Sequence, residues 1–416
     1  MSGDMGKLSD VAKVQSGFAF KSRDWRGDGV PVIKIQNVRA GRVKLEGCSY
    51  VSDEVAVTAS RYRLYRGDVL VTMSGEIGSV GVVRTDEHLL LNQRVGRIML
   101  LDPDAAEIRY IAYALQDPCI KSMMEAIAYG AAQPNISPTL IGSLPLWLPP
   151  RATQTAIANV LEAFDDLIEN NRRRLEVLDE MARAIYREWF VKFRYPGHED
   201  VPMVDSALGL IPDGWEVQPL AAIATVNGSS RKPGGDEVFR YLDISALSER
   251  HIGELEAIGG SSAPGRARRV VSPGDTVWAT VRPNRRAHAL LVAPDSDWIA
   301  STGLAVLTPS TVSPDFLFET LSATAFSDWL VGRATGSAYP AVRAKDFEEA
   351  PIVVPDVAVD AAFADKVSPM HDLSWRLRNE CSRLAALRDL LLPKLVTGQI
   401  DISTLDLDAL VARQVA

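Results

Sequence analysis

The fold is decided by residues 153–193, which contain neither Pro nor Gly and read LEAFDDLIENNRRRLEVLDEMARAIYREW from 161 to 189. Apolar side chains recur there at spacings of three and four residues, the heptad pattern of a coiled coil. About forty helical residues make a rod of roughly 60 Å. A rod of this length needs a partner helix along its whole seam. The predicted seam residues are Leu161, Phe164, Ile168, Asn171, Leu175, Leu178 and Ile185.

A second long segment, residues 357–400, offers that partner. We expect its helix to end at Leu392-Pro393 and Gly398. The two helices can then lie antiparallel across a pseudo-two-fold axis, with one globular head at each end. Asn171 either fixes the register of the seam or faces water, and the sequence favours neither reading. The predicted seam residues of the second helix are Met370, Leu373, Leu377, Leu384 and Leu391.

The chain contains an internal repeat with an offset of about 206 residues. Residues 130–136, GAAQPNI, align with residues 336–342, GSAYPAV, and both Pro-x-x-x-Pro segments, 145–149 and 351–355, coincide. The apolar pattern then continues without a gap through both long helices. Chance similarity of two α/β domains is the alternative, but the ungapped length of the match favours duplication. Each copy predicts a globular part of short strands and turns, followed by a long helix.

Composition places the chain among ordinary globular proteins, with 47% hydrophobic and 24% charged residues. No run approaches the roughly 18 apolar residues that span a bilayer, and no signal peptide is visible at the start. Three distant cysteines, Cys48, Cys119 and Cys381, make a disulfide framework improbable and favour a cytoplasmic location.

Sequence motifs for catalysis are missing. The sequence contains neither a phosphate-binding loop nor a Gly-x-Gly-x-x-Gly segment, and no Lys follows an acidic residue by two positions, as in many metal-dependent nucleases. It also has no Asn/Asp-Pro-Pro-aromatic motif of amino-methyltransferases, and its five histidines are isolated. We therefore predict no catalytic residues, no metal site and no cofactor in this chain.

The net charge of −8 is unevenly distributed. Residues 261–290 carry six Arg and one acidic residue, and residues 39–66 are also basic, whereas the first long helix and the tail are acidic. Basic heads on an acidic body suit DNA at the heads and protein along the body.

Arg can pair with guanine or phosphate, and Asn or Gln with adenine. The candidate DNA-binding residues are Arg39, Arg42, Lys44, Ser74, Glu76, Asn92, Gln93, Arg94, Gln133, Asn135, Arg231, Lys232, Arg266, Arg268, Arg269, Arg282, Asn284, Arg285, Arg286, Tyr339 and Arg343.

Four segments resemble those of the specificity (S) subunits of Type I restriction–modification systems. PRATQTAIANVL at 150–161 is similar to the start of that family's first conserved helix, and WFVKF at 189–193 to its end. LIPDGWEV at 210–217 resembles the start of the second recognition domain, and LLPKLVTGQI at 391–400 the C-terminal end. One departure is Asp360, which stands where the first copy has Gln154, so the start of the second helix is less typical of the family.

The resemblance implies an α+β fold in which two similar mixed α/β target-recognition domains are separated by two long antiparallel helices that form a coiled coil. The expected parts are target-recognition domain 1 (1–150), spacer helix 1 (151–194), a linker (195–214), target-recognition domain 2 (215–356), spacer helix 2 (357–400) and a C-terminal tail (401–416).

As the family implies, each domain would read one half of a gapped, asymmetric DNA site. The helices would set the gap and dock two methyltransferase subunits, with motor and endonuclease subunits joining for cleavage. S-adenosylmethionine, ATP and Mg would bind those partner subunits, and the methylated base would be a flipped adenine. Two other functions stay open: a self-contained DNA nuclease or methyltransferase, and a coiled-coil scaffold that binds no DNA.

Overall fold

The computed structural model describes residues 4–39, 41–128, 135–336 and 339–402. The chain forms two compact units. The first unit comprises Met1–Ile168 and Arg383–Ala416, and the second comprises Glu169–Ser382. Each unit therefore contains one globular head together with a part of each long helix.

The first head, residues 4–148, contains two sheets and a closing strand pair. The larger sheet has the strand order Ala12–Ser16, Val95–Leu100, Val69–Thr72, Val80–Val82, Gly41–Val43 and Val38–Arg39. The smaller sheet has the order Trp25–Arg26, Ser49–Val51, Val30–Ile33, Leu89–Leu91 and Arg63–Leu64. Asp4–Lys7 pairs antiparallel with Pro145–Leu148 and closes the head. The α-helices are Leu8–Val11, Asp53–Thr58, Ile108–Ala114, Pro118–Ala128 and Pro138–Gly142, and the 3-10 helices are Ser22–Asp24, Ile35–Asn37 and Ser60–Tyr62.

The second head, residues 216–354, has the same plan. Its first sheet has the order Ala224–Val226, Leu304–Pro309, Thr276–Ala279 and His288–Leu290. Its second sheet has the order Glu256–Gly259, Val238–Leu242, Trp298–Ser301 and Ala267–Val270, and Glu216–Pro219 pairs with Pro351–Val354. The α-helices are Pro314–Ser322, Thr324–Arg333 and Ala344–Glu348. Two hairpins, Met203–Ser206 with Gly209–Pro212 and Leu247–Ser248 with His251–Ile252, and the 3-10 helices His198–Asp200, Leu220–Ala222, Ile244–Ala246, Gly260–Ser262 and Pro283–Arg285 complete the unit.

The internal repeat is confirmed in four strands of each sheet; the first head adds Val38–Arg39 and Gly41–Val43 to its first sheet and Trp25–Arg26 to its second. In both heads the second sheet contains one parallel pair, Val32 with Leu90 in the first and Tyr241 with Ile299 in the second. An isolated antiparallel bridge joins Ser74 to Asn135, and an equivalent bridge joins Val281 to Ala341, about 206 residues further on. Two heads that share strand order, pair direction and irregular bridges have one fold.

The long helices span Arg151–Tyr186 and Val357–Val396, and a π-helical turn, Arg187–Val191, extends the first. The predicted end of the second helix at Leu392-Pro393 is wrong, because the helix passes through Pro393 to Val396. A proline normally ends a helix by removing one hydrogen bond and crowding the preceding turn. Here the final turn is held by Leu392, Leu395 and Val396, which are buried in the core of the first unit.

The helices run antiparallel within each unit. In the first unit, Tyr110 donates its phenol hydrogen to the carbonyls of Trp147 and Val396 at 2.6 and 3.3 Å, which brings the start of one helix to the end of the other. Further along, Asp165 pairs with Arg388 at 2.6 Å.

In the second unit, Asp179 pairs with Arg378 at 2.7 Å, and the rings of Phe190 and Phe363 lie 4.9 Å apart. The predicted α+β class, with two similar mixed heads and two long antiparallel helices, is confirmed.

Burial follows the predicted seam only in part. Asn171 is 3% exposed, so the alternative that it faces water is wrong. The buried seam residues are Leu161, Ile168, Asn171, Leu175, Leu377 and Leu384. The half-buried ones are Phe164, Leu178, Ile185, Met370, Leu373 and Leu391.

Candidate nucleic-acid interface

The rim of the second head lies where Thr276–Ala279 ends and Leu304–Pro309 begins. Two backbone hydrogen bonds fix it: Arg282 N–H donates to Pro340 O at 2.7 Å, and Val342 N–H donates to Thr280 O at 2.9 Å. The Arg282 guanidinium lies over the Tyr339 ring, 4.7 Å from its centroid. The structure therefore brings two predicted DNA-binding residues into direct contact.

The turn that follows contains Asn284, Arg285 and Arg286. Asn284 and Arg285 are exposed. Arg286 is already engaged, because it donates to Ser322 O at 2.6 Å and pairs with Glu249 at 3.2 Å. Arg286 therefore holds the turn in place, whereas the guanidinium groups of Arg282 and Arg285 are available to a ligand.

The other basic candidates of the second head differ in what they contact. Arg266 is exposed, and its carbonyl accepts from Thr302 N–H at the same rim. Arg231 is engaged in a bidentate ion pair with Glu237, at 2.6 and 2.8 Å. Arg268 donates to Gly265 O at 3.1 Å.

Three further candidates of the second head form no hydrogen bond or ion pair with Arg282 or Tyr339 in the described part of the chain. Arg269 forms a bridge with Ser230 and is half-buried. Lys232 and Arg343 are exposed.

In the first head the equivalent rim joins Ser74 to Asn135. Met73 N–H donates to Arg94 O at 3.0 Å, so Asn92, Gln93 and Arg94 lie beside that bridge. Asn92 is buried, and its side-chain oxygen accepts from Arg94 N–H at 3.1 Å. Arg94 and Asn135 are exposed.

Glu76 lies in the same loop of the first head and is exposed. One of its carboxylate oxygens accepts from the Ser79 hydroxyl at 3.1 Å. Gln133 lies outside the described residues.

Arg39, Arg42 and Lys44 are not part of that rim. They lie in and after the edge hairpin Val38–Arg39/Gly41–Val43, and Arg42 is level with Val82, at the opposite end of the sheet from Ser74. Arg39 and Lys44 are exposed there, and Arg42 is half-buried. The structure therefore separates these three candidates from the rest.

The sequence does not predict a buried charge cluster at the base of the second head, where the helix Pro314–Ser322 contacts the second long helix. His371 contacts Asp315 at 2.6 Å and Glu319 at 2.9 Å. Arg250 makes a bidentate pair with Glu319, at 2.6 and 3.0 Å. All four side chains are less than 9% exposed. His371 and Ser374 occupy inward positions of the second helix, which explains why Met370 and Leu373 are only half-buried.

Electrostatics favour the charged forms of Glu319 and His371. Burial alone would raise the pKa of Glu319, but Arg250 and His371 outweigh it and hold the pKa at about 2. Burial alone would lower the pKa of His371, but Asp315 and Glu319 outweigh it and raise the pKa.

Burial lowers the pKa of His288 to about 3, so this imidazole is neutral. It stacks on Trp278 at 4.3 Å, donates through Nδ1 to Arg286 O and accepts from Ser322, which fixes the arginine turn.

Gln154 and Asp360 occupy matching positions and make matching contacts. Gln154 Oε1 accepts from Glu107 N–H at 2.9 Å, and Asp360 Oδ2 accepts from Ser313 N–H at 2.7 Å. In each unit this bond ties the long helix to the start of a head helix. Both side chains are buried, so the departure at position 360 lies inside the unit and alters no exposed surface.

Within the described ranges, no group of three or more His, Cys, Asp or Glu side chains could hold a metal ion. None of the helices in that part of the chain combines the length and the apolar character needed to cross a membrane.

Comparisons with known proteins identify this architecture. Residues 4–180 match the model of the Type I restriction modification DNA specificity domain. The MjaIX specificity subunit of Methanocaldococcus jannaschii is 23% identical over 412 residues, covering 97% of this chain and 94% of that protein. The EcoBI specificity subunit of Escherichia coli is 25% identical over 419 residues, covering 94% and 85%. The crystal structure of the Type-I restriction-modification system S subunit from M. genitalium matches with a TM-score of 0.62 and 16% identity, covering 95% and 96%.

The matched domain is a DNA specificity domain, which places the class of protein among those that recognise DNA targets. Residues 4–180 match this family's domain, and nearly the whole chain is similar to specificity subunits of Type I restriction–modification systems, which confirms the resemblance drawn from its motifs. The relatives are named specificity subunits, the non-catalytic class that the sequence analysis predicts.

Proposed function

We propose that each head reads one half of a gapped, asymmetric double-stranded DNA target. The observation that carries this proposal is the matched pair of bridges, Ser74 with Asn135 and Val281 with Ala341. They form the same scaffold at both rims, but the loops carry different side chains: Ser74 and Glu76 in the first head, Arg282 and Arg285 in the second. Because base specificity depends on side-chain chemistry, the two half-sites should differ in sequence.

The helices would set the length of the gap and dock two methyltransferase subunits, with motor and endonuclease subunits joining them. Four apolar side chains that are exposed on the helices support docking, because a docked subunit would remove them from water. Leu167, Val177, Met181 and Leu390 are between 41% and 59% exposed. S-adenosylmethionine, ATP and Mg would be bound by those partners, in the cytoplasm, where the DNA is.

The test lengthens both helices. Insertion of one heptad into the middle of each helix, together, adds about 10 Å of rod, which equals about three base pairs of DNA. We expect methylome sequencing of cells that produce the complete methyltransferase complex to show both half-sites unchanged and the gap lengthened by about three base pairs. The control is a seven-residue insertion in the turn between Ser206 and Gly209, outside both helices, which should leave the gap unchanged.

A gap that stays constant after the double insertion would show that the helices do not set the spacing. Insertion into one helix alone should abolish methylation, because it shifts one side of the seam against the other.

A further inference from the structure

The backbone around Arg282 is held in an unusual conformation. Arg282 and Arg286 have φ values of 55° and 53°, in the left-handed region that non-glycine residues rarely adopt. Hydrogen bonds fix both ends of the turn, from Arg282 N–H to Pro340 O at 2.7 Å and from Arg286 N–H to Pro283 O at 2.9 Å. Strained conformations persist only where the surrounding structure determines them, and they cluster at functional sites.

The side chain of Arg282 is preorganised as well. Its guanidinium lies over Tyr339, which is 68% exposed, and it has no carboxylate partner in the part of the chain that the structure describes. A guanidinium held over the face of an aromatic ring is restrained, while the N–H donors along its edge remain available. Such a plane matches the O6 and N7 acceptors of guanine, which Arg contacts in a bidentate manner.

The neighbouring arginines differ from Arg282 in ways that separate their roles. Arg286 is occupied by Ser322 O and Glu249. Arg285 is exposed, and no aromatic ring restrains it in the described residues, which suits a phosphate contact that needs charge but not a fixed plane. In the first head Ser74 matches Val281, so the position that matches Arg282 is Gly75, which has no side chain.

We infer that Arg282, held by Tyr339, reads a guanine in the half-site that the second head contacts. Arg282 is a specificity-determining residue and Tyr339 a positioning residue. This inference rests on the proposed function, since it needs a head that contacts base edges.

The experiment uses the complex of the full chain with its methyltransferase subunits. Methylome sequencing first defines the target of the unsubstituted protein. Duplexes carrying that target, and versions with each guanine of the second half-site replaced in turn by adenine, then compete for binding to the original complex and to Arg282→Ala. For the original complex, replacement of one guanine should weaken binding about 5- to 150-fold. For Arg282→Ala the same replacement should change binding less than about 2-fold, and the first half-site should be read as before.

Three matched variants separate base reading from phosphate contact. Arg285→Ala should weaken binding to all duplexes by the same factor and leave the target sequence unchanged. The slope of log affinity against log salt concentration should become about one unit less steep. Tyr339→Ala should reduce discrimination at the same guanine, and Tyr339→Phe, which retains the ring, should restore it. The thermal midpoint of each complex, compared with that of the original complex, reports folding in every variant.

The inference is overturned if Arg282→Ala retains discrimination at every guanine. It is also overturned if Arg282→Ala binds all duplexes more weakly by the same factor and with a lower salt dependence, or if the second half-site has no G·C pair. If the original complex methylates no gapped site, the proposed function itself fails, a result distinct from these three.

Discussion

At the scale of single residues, the second unit buries charged side chains where an apolar core would be expected. Arg250, Glu319 and His371 are buried together, and Asp315 and Asp179 supply two more carboxylates, the latter 3.7 Å from Arg250. Removing one member of such a group leaves an uncompensated buried charge, which is strongly destabilising. A protonated His371 balances the carboxylates around it, so the cluster should respond to pH.

The sign of that response follows from the direction of the pKa shift. Because the folded-state pKa of His371 is raised, its stabilising contribution is complete below the ordinary histidine pKa of about 6.5 and is lost as pH rises through the folded-state value. The contribution of Glu319, whose pKa is about 2, is complete above about 4.5 and is lost only in strong acid.

We therefore predict that His371→Gln lowers the thermal midpoint most at pH 6 and progressively less towards pH 9. Each 1 kcal/mol that His371 contributes corresponds to about 2–4 °C. Thermal unfolding of both proteins between pH 5 and pH 9 measures the difference, which isolates His371 because His251 and His288 remain in both. His88→Gln, at an exposed position, is the control and should leave the profile unchanged. Parallel curves for the original protein and His371→Gln would show that His371 does not titrate in this range.

At the scale of elements, the sequence predicts what is local and misses what is not. The first long helix could be predicted because its heptads are uninterrupted and Pro149-Pro150 precede its start at Arg151. The inward positions of the second helix could not, because His371 is satisfied by Asp315 and Glu319, more than fifty residues away. The candidate site shows the same limit: the Arg282–Tyr339 contact joins residues 57 positions apart, and the Arg286–Glu249 pair is likewise non-local.

The contact between each long helix and its head gives a prediction at this scale. Asp360→Ala removes the acceptor for both the N–H and the hydroxyl of Ser313, so it should cost about 1–3 kcal/mol of unfolding free energy. Asp360→Asn keeps an acceptor and should cost less. Denaturant unfolding measures both, with Asn170→Ala, an exposed amide on the first long helix, as the matched control. If Asp360→Ala unfolds at the same denaturant concentration as Asn170→Ala, this bond does not hold helix and head together.

At the scale of the whole molecule, one polypeptide carries two copies of a fold and lets their surfaces diverge. The copies share sheet order and closing strand pairs, Asp4–Lys7 with Pro145–Leu148 and Glu216–Pro219 with Pro351–Val354. They differ in the chemistry of rim and base: Tyr113 donates to Asp165 in the first unit, whereas Glu319 and His371 form an ion pair in the second. A head is therefore exchangeable only if the contacts at its base are exchanged with it.

Replacement of the second head by a copy of the first tests that modularity. The exchanged segment would run between the closing strands, with residues 4–148 in place of residues 216–354. Glu319 and Asp315 leave with the old head, so the variant also needs His371→Asp, to accept from the new copy of Tyr113 as Asp165 does. Because the closing strands have the same length and direction, we expect a folded chain whose methyltransferase complex modifies a target made of two copies of the first half-site. Methylome sequencing reads the result directly, and the same head exchange without His371→Asp is the control, with a lower thermal midpoint expected. A target that still contained the original second half-site would show that sequence is read outside the heads.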